Sequence, residues 1–432
     1  MKRSFLATAV SVALAAGSGA ATLAVAGPAQ AAAPTSCSAT DAQIYSPPAA
    51  ALIGAPGTLI GCSVTALPLL SQKNIVAAKV QYASTNQSGR KIAASGLVIV
   101  PRAAWAGTGT RPLVAFHPGT LGLGSQCALS KQLAGRFQDA YEGPNLDDFL
   151  TAGYAVAATD GVGYLDGQIH SYGIGANAGH PILDIARVAS RVPGSGVLPT
   201  TRVGIAGYSE GGQASLWAAQ LAVSYAPELN VVGAAAGGVP GNLTVTGKYL
   251  NGGPFAGFLI DAAVSLSTTY PKLHLNSLLN QRGKEVLARA RTLCVLGTLA
   301  AFVGARFETL TTRGYTIDQL RTLAGSDGVT WGQVFDAQTL AVGIGKPGSG
   351  APYTVAFPVF QYRGLAEEII DTKTENATRD AYCRAGITTD WNQLYPSEHL
   401  TTDTLASGDV VKWMGDRFAG RTTGGNCWLP SC

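Results

Sequence analysis

Residues 202–212 read RVGIAGYSEGG, and their apolar run leads directly into Gly207-Tyr208-Ser209-Glu210-Gly211. An amphipathic helical pattern follows from Ala214 to Ala222, so the G-x-S-x-G motif lies between a predicted strand and a predicted helix. In so sharp a turn, the residues two before and two after the serine have no room for a side chain, which explains Gly207 and Gly211. Ser209 would then stand at the helix N-terminus, where the helix dipole favours developing negative charge. The alternative is a glycine-rich turn in which Ser209 only caps the helix.

The rest of the chain alternates between strand-like and helix-like segments. Short apolar runs predict strands at Ile92–Val100, Arg111–His117, Tyr154–Thr159, Arg202–Ala206, Val231–Ala236 and Phe357–Tyr362. A helical pattern begins at Pro181, a residue suited to the first turn of a helix. Residues 32 to about 75 are rich in Ala, Pro and Gly and are predicted to form an irregular arm. Strands that alternate with helices predict an α/β fold, with a mainly parallel central sheet and helices on both faces.

The segment between Gly238 and Phe357 differs from the rest of the chain in its pattern of apolar residues. It carries apolar-faced helical patterns around Phe255–Val264, Leu293–Val303 and Trp331–Val342, and few strand signals. We predict an inserted helical cap, or lid, over the C-terminal edge of the sheet, where open α/β sheets hold their ligands. The predicted organisation is a signal peptide over 1–31, a first core part with an N-terminal arm over 32–239, the cap over 240–356, and a second core part over 357–432.

The composition fits a folded protein with a large core. Apolar residues make up 47% of the 432 residues and charged residues 13%, the opposite of the balance in disordered chains. The formal net charge is +4 and no run of Lys or Arg stands out, so nucleic acid is not an expected partner. The sequence has no H-E-x-x-H motif, no C-x-x-C pair and no dinucleotide fingerprint in context. We therefore expect no metal, no organic cofactor and no partner protein.

The N-terminus has the pattern of a targeting segment. Lys2 and Arg3 precede an apolar stretch from Phe5 to about Val25, and Ala29-Gln30-Ala31 gives the small-x-small pattern that signal peptidase cuts. We predict cleavage near Ala31 and secretion to the extracellular space; the alternative is a retained membrane anchor. Seven cysteines follow, and disulfides persist in the oxidising compartments that secreted proteins enter. The odd number leaves one cysteine free or paired between chains.

The candidate base and acid follow from the order of residues along the chain. A serine hydroxyl needs a base to take its proton. In folds with this kind of serine turn, the catalytic residues follow one another along the chain in the order serine, acid, histidine. Only His274 and His399 follow Ser209. His274 falls inside the predicted cap, whereas His399 follows the last predicted strand, so we predict that His399 is the base. The loop after that strand offers three candidate acids, among which spacing alone does not choose: Glu367, Glu368 and Asp371.

Negative charge that develops on a substrate carbonyl oxygen needs two backbone N–H donors. One should be the N–H of Glu210, which follows the nucleophile. The other should come from the glycine-rich loop after the strand that ends at His117, at Gly119 or Thr120. His117 precedes Ser209 and fits the expected order poorly, so we expect it to orient this loop by hydrogen bonding. The side chain of Glu210 either points to solvent or bonds across the site.

These motifs resemble those of the secretory lipase family of fungi and actinobacteria, the lipase A type, over nearly the whole mature chain. The segments that carry the resemblance are Phe116–Thr120, Cys127–Ser130, Thr159–Gly163, Leu183–Arg187, Gly207–Gly212 and the loop around Glu367. The resemblance implies an α/β-hydrolase fold, and it places the acid at Glu367 and the histidine at His399. Three departures stand out. The acid is Glu where the family has Asp, and Asp371 stands where the family usually has Pro. His-Pro-Gly-Thr replaces the more usual His-Gly-Thr, which shifts the second oxyanion donor by up to one residue.

The resemblance also implies two disulfides, Cys127–Cys294 and Cys383–Cys427. The first would tie the cap to the core. Cys37–Cys62 is our expectation for a third pair, which leaves Cys432.

The leading expectation is a lipase that hydrolyses carboxylic esters, with triacylglycerol or another lipid or acyl ester as substrate and a transient contact with a lipid interface. Ser209 would attack the acyl carbon to form an acyl-enzyme, His399 would transfer the proton, and Glu367 would hold His399. One alternative is a secreted serine peptidase on the same fold, whose cap would more often be rich in acidic residues than this one. The other is a non-catalytic binding protein, and the intact serine, glutamate and histidine count against it.

Overall fold

The structure is a computed structural model that describes residues 34–135, 139 and 141–430. The predicted signal peptide, with its cleavage site near Ala31, lies outside these residues, as does Cys432. Within the described ranges, no helix combines the length and the apolar character needed to cross a membrane.

A nine-stranded sheet forms the centre of the molecule. The strands of the described residues, in chain order, are β1 (Leu59–Thr65), β2 (Ile75–Thr85), β3 (Lys91–Pro101), β4 (Leu113–His117), β5 (Ala155–Gly161), β6 (Arg202–Tyr208), β7 (Asn230–Gly237), β8 (Ile344–Gly345), β9 (Tyr353–Thr354), β10 (Val359–Gly364) and β11 (Thr389–Tyr395). The sheet has the order β1-β2-β3-β5-β4-β6-β7-β10-β11, and β8 pairs with β9 separately. From β5 to β11 all neighbouring strands are parallel, whereas β1, β2, β3 and β5 pair antiparallel at one edge.

Helices cover both faces of this sheet. The α-helices of the described residues are α1 (Asp41–Tyr45), α2 (Leu129–Leu133), α3 (Gly143–Thr151), α4 (Gly175–Ala189), α5 (Glu210–Tyr225), α6 (Leu243–Leu250), α7 (Ala256–Thr269), α8 (Leu275–Leu278), α9 (Gln281–Ala290), α10 (Val295–Phe302), α11 (Ile317–Thr322), α12 (Trp331–Ala337), α13 (Thr372–Arg384) and α14 (His399–Phe418). Strand β4 shows the two faces: Ala115 packs in the cluster that holds α4 and α5, whereas Val114 and Phe116 pack in the cluster that holds α3 and α14. The predicted fold class is confirmed.

The N-terminal part of the sheet corrects the prediction that residues 32 to about 75 form an irregular arm. That segment contains β1 and α1. As an edge strand, β1 buries only two of its seven residues, so its apolar signal is weak. Strand β2 was not predicted either, and its buried positions include Lys79 and Gln81. Lys79 donates to Asp41 at 3.0 Å, and Gln81 donates to two backbone carbonyls of the N-terminal segment.

Helix α4 begins at Gly175, six residues before the residue that was predicted to start it. Pro181 therefore lies inside the helix and not in its first turn. The prediction was wrong because glycine and proline weaken a helical pattern locally, whereas tertiary packing decides here. Helix α4 approaches α5 so closely that a Cβ at Gly179 would lie 2.9 Å from the backbone nitrogen of Ala218.

Seven helices, α6–α12, lie between β7 and β10, and we call residues 243–337 the helical insertion. The three helical patterns predicted for this segment fall on α7, α10 and α12. The insertion has an apolar cluster largely of its own, which includes Ile260, Phe307 and Trp331. It therefore packs as a helical layer rather than as an extension of the sheet.

Candidate active site

The serine motif forms the turn between β6 and α5. Ser209 has φ 59° and ψ −120°, a conformation that non-glycine residues adopt only when the surrounding structure imposes it. Its N–H donates to the carbonyl oxygen of Gly237 at 2.9 Å, and its own carbonyl accepts from the N–H of Gln213 at 3.0 Å. The serine thus lies at the C-terminal edge of the sheet and at the N-terminus of a sixteen-residue helix.

Two glycines make this turn possible. A Cβ at Gly207 would lie 2.4 Å from the carbonyl oxygen of Gly211, and a Cβ at Gly211 would lie 2.2 Å from the carbonyl oxygen of His117. Carbon and oxygen atoms that are not bonded do not approach so closely, and both oxygens belong to backbone that cannot swing away. The turn therefore has the geometry that the G-x-S-x-G motif requires.

His399 and Glu367 form a buried pair near this turn. His399 is the first residue of α14, and Glu367 lies in the loop after β10. The Nδ1 atom of His399 lies 2.8 Å and 2.7 Å from the two carboxylate oxygens of Glu367. Burial alone would raise the pKa of Glu367, but the adjacent His399 and two backbone N–H donors, from Ile369 and Ile370, hold this pKa below its usual value. The ionised carboxylate can only accept, so Nδ1 carries the proton.

The three candidate acids of this loop have different surroundings. Glu368 accepts the backbone N–H of His399 at 3.0 Å. Asp371 caps α13 by accepting the N–H of Lys373. Of the three, Glu367 is the one that contacts the imidazole of His399, and it is also the residue at which the family resemblance placed the acid.

The imidazole of His399 packs against residues next to the serine. Its ring centroid lies 5.0 Å from that of Tyr208, and a Cβ at Gly238 would lie 2.8 Å from its Cε1 atom. Its Nε2 atom is buried and has no hydrogen-bond partner within the described part of the chain, so it makes no bond to Ser209 in this structure. Catalytic hydrogen bonds in unliganded enzymes are often long and tighten only in the complex. The alternative histidine, His274, is exposed at the start of α8.

Residues 118–124, which we call the β4 loop, offer the predicted oxyanion donors. The N–H of Gly119 donates to Oε1 of Glu142 at 2.8 Å, so this donor is already occupied. The N–H groups of Thr120 and Glu210 make no hydrogen bond to a described residue. The hydroxyl of Thr120 donates to the hydroxyl of Tyr172 at 3.3 Å. Of the two predicted alternatives, Thr120 therefore fits the second donor better than Gly119.

Two buried carboxyl groups near the site were not identified from the sequence. Burial raises the pKa of Glu142 to about 8 and the pKa of Asp403 to about 7, and the charge of Asp403 adds to the shift at Glu142. Asn145 in α3 donates to Asp403 at 2.9 Å. Glu142 and Asn145 reach the site only through the packing of α3 against α14, which no local pattern reveals. The four-residue spacing from His399 to Asp403 on α14 is the one signal that sequence reasoning had for this cluster.

The side chain of Glu210 points into the molecule and not to solvent. Its Oε1 atom lies 2.6 Å from Nε2 of His170, and both side chains are buried. The Nδ1 atom of His170 lies 3.0 Å from the carbonyl oxygen of Val162. His117 contacts the carbonyl of Pro118 through Nδ1 at 2.7 Å, as expected of a residue that orients the β4 loop, and burial lowers its pKa. A second pair of histidine and carboxyl group therefore adjoins the serine turn.

Comparison with known proteins places this chain in a family. A family model described as secretory lipase matches residues 134–426, more than half of the chain. The chain belongs to the secretory lipase family.

The relatives of this chain differ in what their names state. It is 28% identical to a probable inactive lipase of Mycobacterium tuberculosis, over 88% of this chain and 83% of that protein. It is 29% identical to a secreted triacylglycerol lipase of Malassezia globosa, over 65% of this chain but only 58% of that protein's length. The solved structure of Candida antarctica lipase A in its closed state covers 90% of this chain with a TM-score of 0.76 at 24% identity, which supports the same fold.

Three disulfides link segments of the described part of the chain. They join Cys37 to Cys62, Cys127 to Cys294 and Cys383 to Cys427. The Cys127–Cys294 bridge ties the start of α10 in the helical insertion to the segment that follows the β4 loop. Within the described residues, no group of three or more His, Cys, Asp and Glu side chains is arranged to hold a metal ion.

Proposed function

We propose that this secretory lipase hydrolyses carboxylic esters of lipids through a triad of Ser209, His399 and Glu367. The observation that carries the proposal is the strained serine between β6 and α5 next to a buried imidazole. The Nδ1 atom of that imidazole is fixed by an ionised carboxylate. A base held in this way has one free nitrogen, Nε2, with which to accept a proton. Serine, acid and base follow strands β6, β10 and β11 at the same edge of the sheet.

In the proposed reaction, Oγ of Ser209 attacks the acyl carbon while Nε2 of His399 takes the hydroxyl proton. The ester C–O bond then breaks, and His399 returns the proton to the leaving alcohol. Water attacks the acyl-enzyme, His399 accepts one of its protons, and the carboxylic acid leaves as that proton goes back to Ser209. Glu367 stabilises the imidazolium that forms in both steps. The free N–H groups of Glu210 and Thr120 are the proposed donors to the oxyanion.

An apolar cavity in the helical insertion supports a lipid acyl chain as part of the substrate. Leu250, Phe258, Leu266 and Phe307 are among its lining residues, together with Tyr172. Tyr172 also accepts the hydrogen bond of Thr120, so the cavity wall reaches the β4 loop. We propose that residues 240–356 act as the cap of the enzyme, with this cavity as the acyl site.

We further propose that residues 1–31 are removed as a signal peptide near Ala31 and that the protein acts outside the cell. Membership of the secretory lipase family and three disulfides in the described residues support an oxidising destination. In the sequence of the mature chain, the two core parts, residues 32–239 and 357–432, then lie on either side of the cap.

A non-catalytic protein is the second candidate function. The observation that favours it is the name of the mycobacterial relative, which describes a probable inactive lipase. Here the serine turn, His399 and Glu367 are all present and the last two are in contact, which favours activity.

The test is hydrolysis of a series of p-nitrophenyl esters, from acetate to palmitate, by the mature protein and by Ser209→Ala. Ser224→Ala is the matched control, because Ser224 lies on the same helix and donates only to the carbonyl of Leu221. We expect activity in the wild type and in Ser224→Ala, and a loss of at least about 10³-fold in Ser209→Ala. Hydrolysis that survives in Ser209→Ala, or a folded wild type without activity on any ester, would refute the proposal.

A further inference from the structure

The pair formed by Glu210 and His170 has a defined number of protons. The carbonyl of Val162 can only accept, so the 3.0 Å contact requires a proton on Nδ1 of His170. The 2.6 Å contact between Nε2 and Oε1 of Glu210 requires a second proton between these two atoms. With one proton on Nδ1 and one shared with the carboxyl group, the imidazole and the carboxyl group together carry no net charge, whichever atom holds the shared proton.

The titratable side chains around this pair favour neutral forms, so the charges of His170 and Glu210 must balance each other. The ring of Tyr164 stacks on His170 with centroids 4.4 Å apart. The other titratable side chains that interact with the charge of Glu210 are His117, Asp261 and three tyrosines, Tyr141, Tyr164 and Tyr172, whose pKa values burial raises. Burial lowers the pKa of His117 and raises the pKa of Asp261 well above its usual value, so these two side chains, like the tyrosines, favour their neutral forms. The second oxygen of Glu210, Oε2, is buried without a hydrogen-bond partner within the described residues.

The charge of Glu210 matters because the backbone N–H of the same residue is a proposed oxyanion donor. By Coulomb's law, a carboxylate roughly 6 Å from any oxyanion, at an effective dielectric constant of about 20, slows the reaction by roughly 100-fold through repulsion. A glutamate directly after a nucleophile is therefore compatible with catalysis only if its side chain is kept neutral or is directed away from the site.

We propose that His170 is a positioning residue that shares a proton with Glu210, so that the pair carries no net charge and the side chain of Glu210 stays turned inward, and the N–H of Glu210 can stabilise the oxyanion without opposition. This inference rests on the proposed function. It also answers the question that the sequence left open, since the side chain of Glu210 bonds across the site to a histidine forty residues earlier in the chain.

The test is a double-mutant cycle with His170→Asn, Glu210→Gln and the double variant, assayed on p-nitrophenyl butyrate. Asparagine can hydrogen-bond but cannot hold the shared proton, so we expect His170→Asn to lower kcat roughly 10- to 100-fold with little change in KM. Glu210→Gln in the His170→Asn background replaces the unpaired carboxyl group by a neutral amide and should raise kcat. The double variant should therefore be about tenfold faster than His170→Asn. A purely structural role for the pair predicts no rescue, and a double variant as slow as His170→Asn would overturn the proposal.

His180→Asn is the matched control. Like His170, His180 is buried, stacks on a tyrosine (Tyr225, centroids 3.9 Å apart) and contacts a backbone carbonyl (that of Thr85) through Nδ1, but no carboxyl group contacts its Nε2 within the described residues. We expect its kcat to remain that of the wild type. If His170→Asn and His180→Asn slow the reaction equally, the effect is one of packing and the proposal is wrong.

A measurement on the wild type keeps the inference testable if His170→Asn does not fold, or if no ester is hydrolysed. In ¹⁵N spectra of histidine-labelled protein, Nδ1 of His170 should carry a proton, and Nε2 should show the signal of a nitrogen that shares a proton in a hydrogen bond. A His170 with no proton on Nδ1, or with Nε2 outside a hydrogen bond, would overturn the proposal. Because this readout needs no activity, it separates the failure of this inference from the failure of the proposed function.

Discussion

At the scale of single residues, the site depends on backbone strain that its neighbours impose. A non-glycine residue held at the φ of Ser209 costs about 1–3 kcal/mol. Gly207 and Gly211 let β6 and α5 meet at distances that any side chain would prevent, and the carbonyl of Gly237 accepts the N–H of Ser209. The surrounding structure therefore leaves the serine one position, next to the residues that hold His399.

We expect Gly211→Ala to disrupt this turn, because the new methyl group would lie 2.2 Å from the carbonyl oxygen of His117 and 2.8 Å from that of Pro118. The free energy of unfolding should fall by more than about 3 kcal/mol, measured by thermal or urea unfolding. The control is Gly408→Ala on the exposed face of α14, where a Cβ meets no atom outside its helix. Alanine there should stabilise the protein by about 0.5–1 kcal/mol, and a similar result at Gly211 would contradict the argument.

The assignment of the acid can be tested by a matched pair of substitutions. Glu367→Gln should lower kcat by about 10²- to 10⁴-fold, because an amide neither fixes the tautomer of His399 nor stabilises its imidazolium. Glu368→Gln should cost less than about tenfold, since Glu368 only accepts the backbone N–H of His399. Steady-state kinetics on a short p-nitrophenyl ester measure both. If Glu368→Gln proves the more damaging substitution, the acid has been misassigned.

Different parts of this site could be predicted from the sequence to different degrees. Ser209 and His399 follow from a motif and from chain order, which depend on few residues. Spacing could not choose between Glu367 and Glu368, because adjacent loop residues differ in direction only through the turn that the loop adopts. The hydrogen bond from the N–H of Gly119 to Glu142 could not be predicted, since it depends on how the start of α3 packs against the β4 loop.

At the scale of elements, the strands that could be predicted are those whose buried positions form a mostly apolar run. Strand β2 is buried over eight of its eleven residues but was missed, because Lys79 and Gln81 interrupt its run. The predicted β3, β4, β5, β6, β7 and β10 include every parallel strand of the nine-stranded sheet but β11, and parallel strands covered on both faces form continuous apolar runs. The two-residue strands of the separate parallel pair, β8 and β9, were also missed. Strand β11 reads TDWNQLY, with buried residues separated by half-exposed ones, and it was missed although its loop leads to His399. The start of helix α4 was predicted six residues too late. Gly175 and Gly179 weaken the helical pattern of the sequence, but the close packing of α4 against α5 requires them.

The helical insertion is coupled to the β4 loop through one short junction. Backbone hydrogen bonds join residues 121–123 to residues 293–295, and the Cys127–Cys294 disulfide lies beside them. A Cβ at Gly122 would lie 2.5 Å from the carbonyl oxygen of Leu293, which shows how closely the two segments pack. Movement of α10 would therefore be transmitted to the loop that holds Thr120.

Removal of this disulfide should loosen the insertion more than the sheet. We expect Cys127→Ala with Cys294→Ala to lower the free energy of unfolding by about 2–5 kcal/mol. Hydrogen exchange should increase within residues 243–337 while β4, β5 and β6 stay protected. The control is Cys37→Ala with Cys62→Ala, which opens a bridge of sequence separation 25 instead of 167 and should affect only β1 and its neighbours. Equal exchange in the insertion and the sheet would show that the bridge does not hold this junction.

At the scale of the whole molecule, buried carboxyl groups make the native state bind more protons than the unfolded state at the same pH. Burial raises the pKa of Glu142 to about 8, of Asp403 to about 7 and of Asp184 to about 6. Glu367 shifts in the other direction, because its pKa is held below the usual value. A carboxyl group with a raised pKa destabilises the folded protein as the pH rises above the pKa of the unfolded chain, since the native state must keep a proton that the unfolded state has released.

This linkage predicts that the protein becomes less stable as the pH rises from about 5 to about 8, and that Glu142→Gln removes part of the loss. The amide keeps an oxygen to accept the N–H of Gly119 but has no proton to lose. It should therefore gain roughly 1–3 kcal/mol relative to the wild type at pH 8 and little at pH 5. Urea unfolding at a series of pH values measures this difference. Glu285→Gln, which removes an exposed carboxyl group from α9, should run parallel to the wild type. If Glu142→Gln also runs parallel, Glu142 is already ionised in the native state and its burial does not hold the proton.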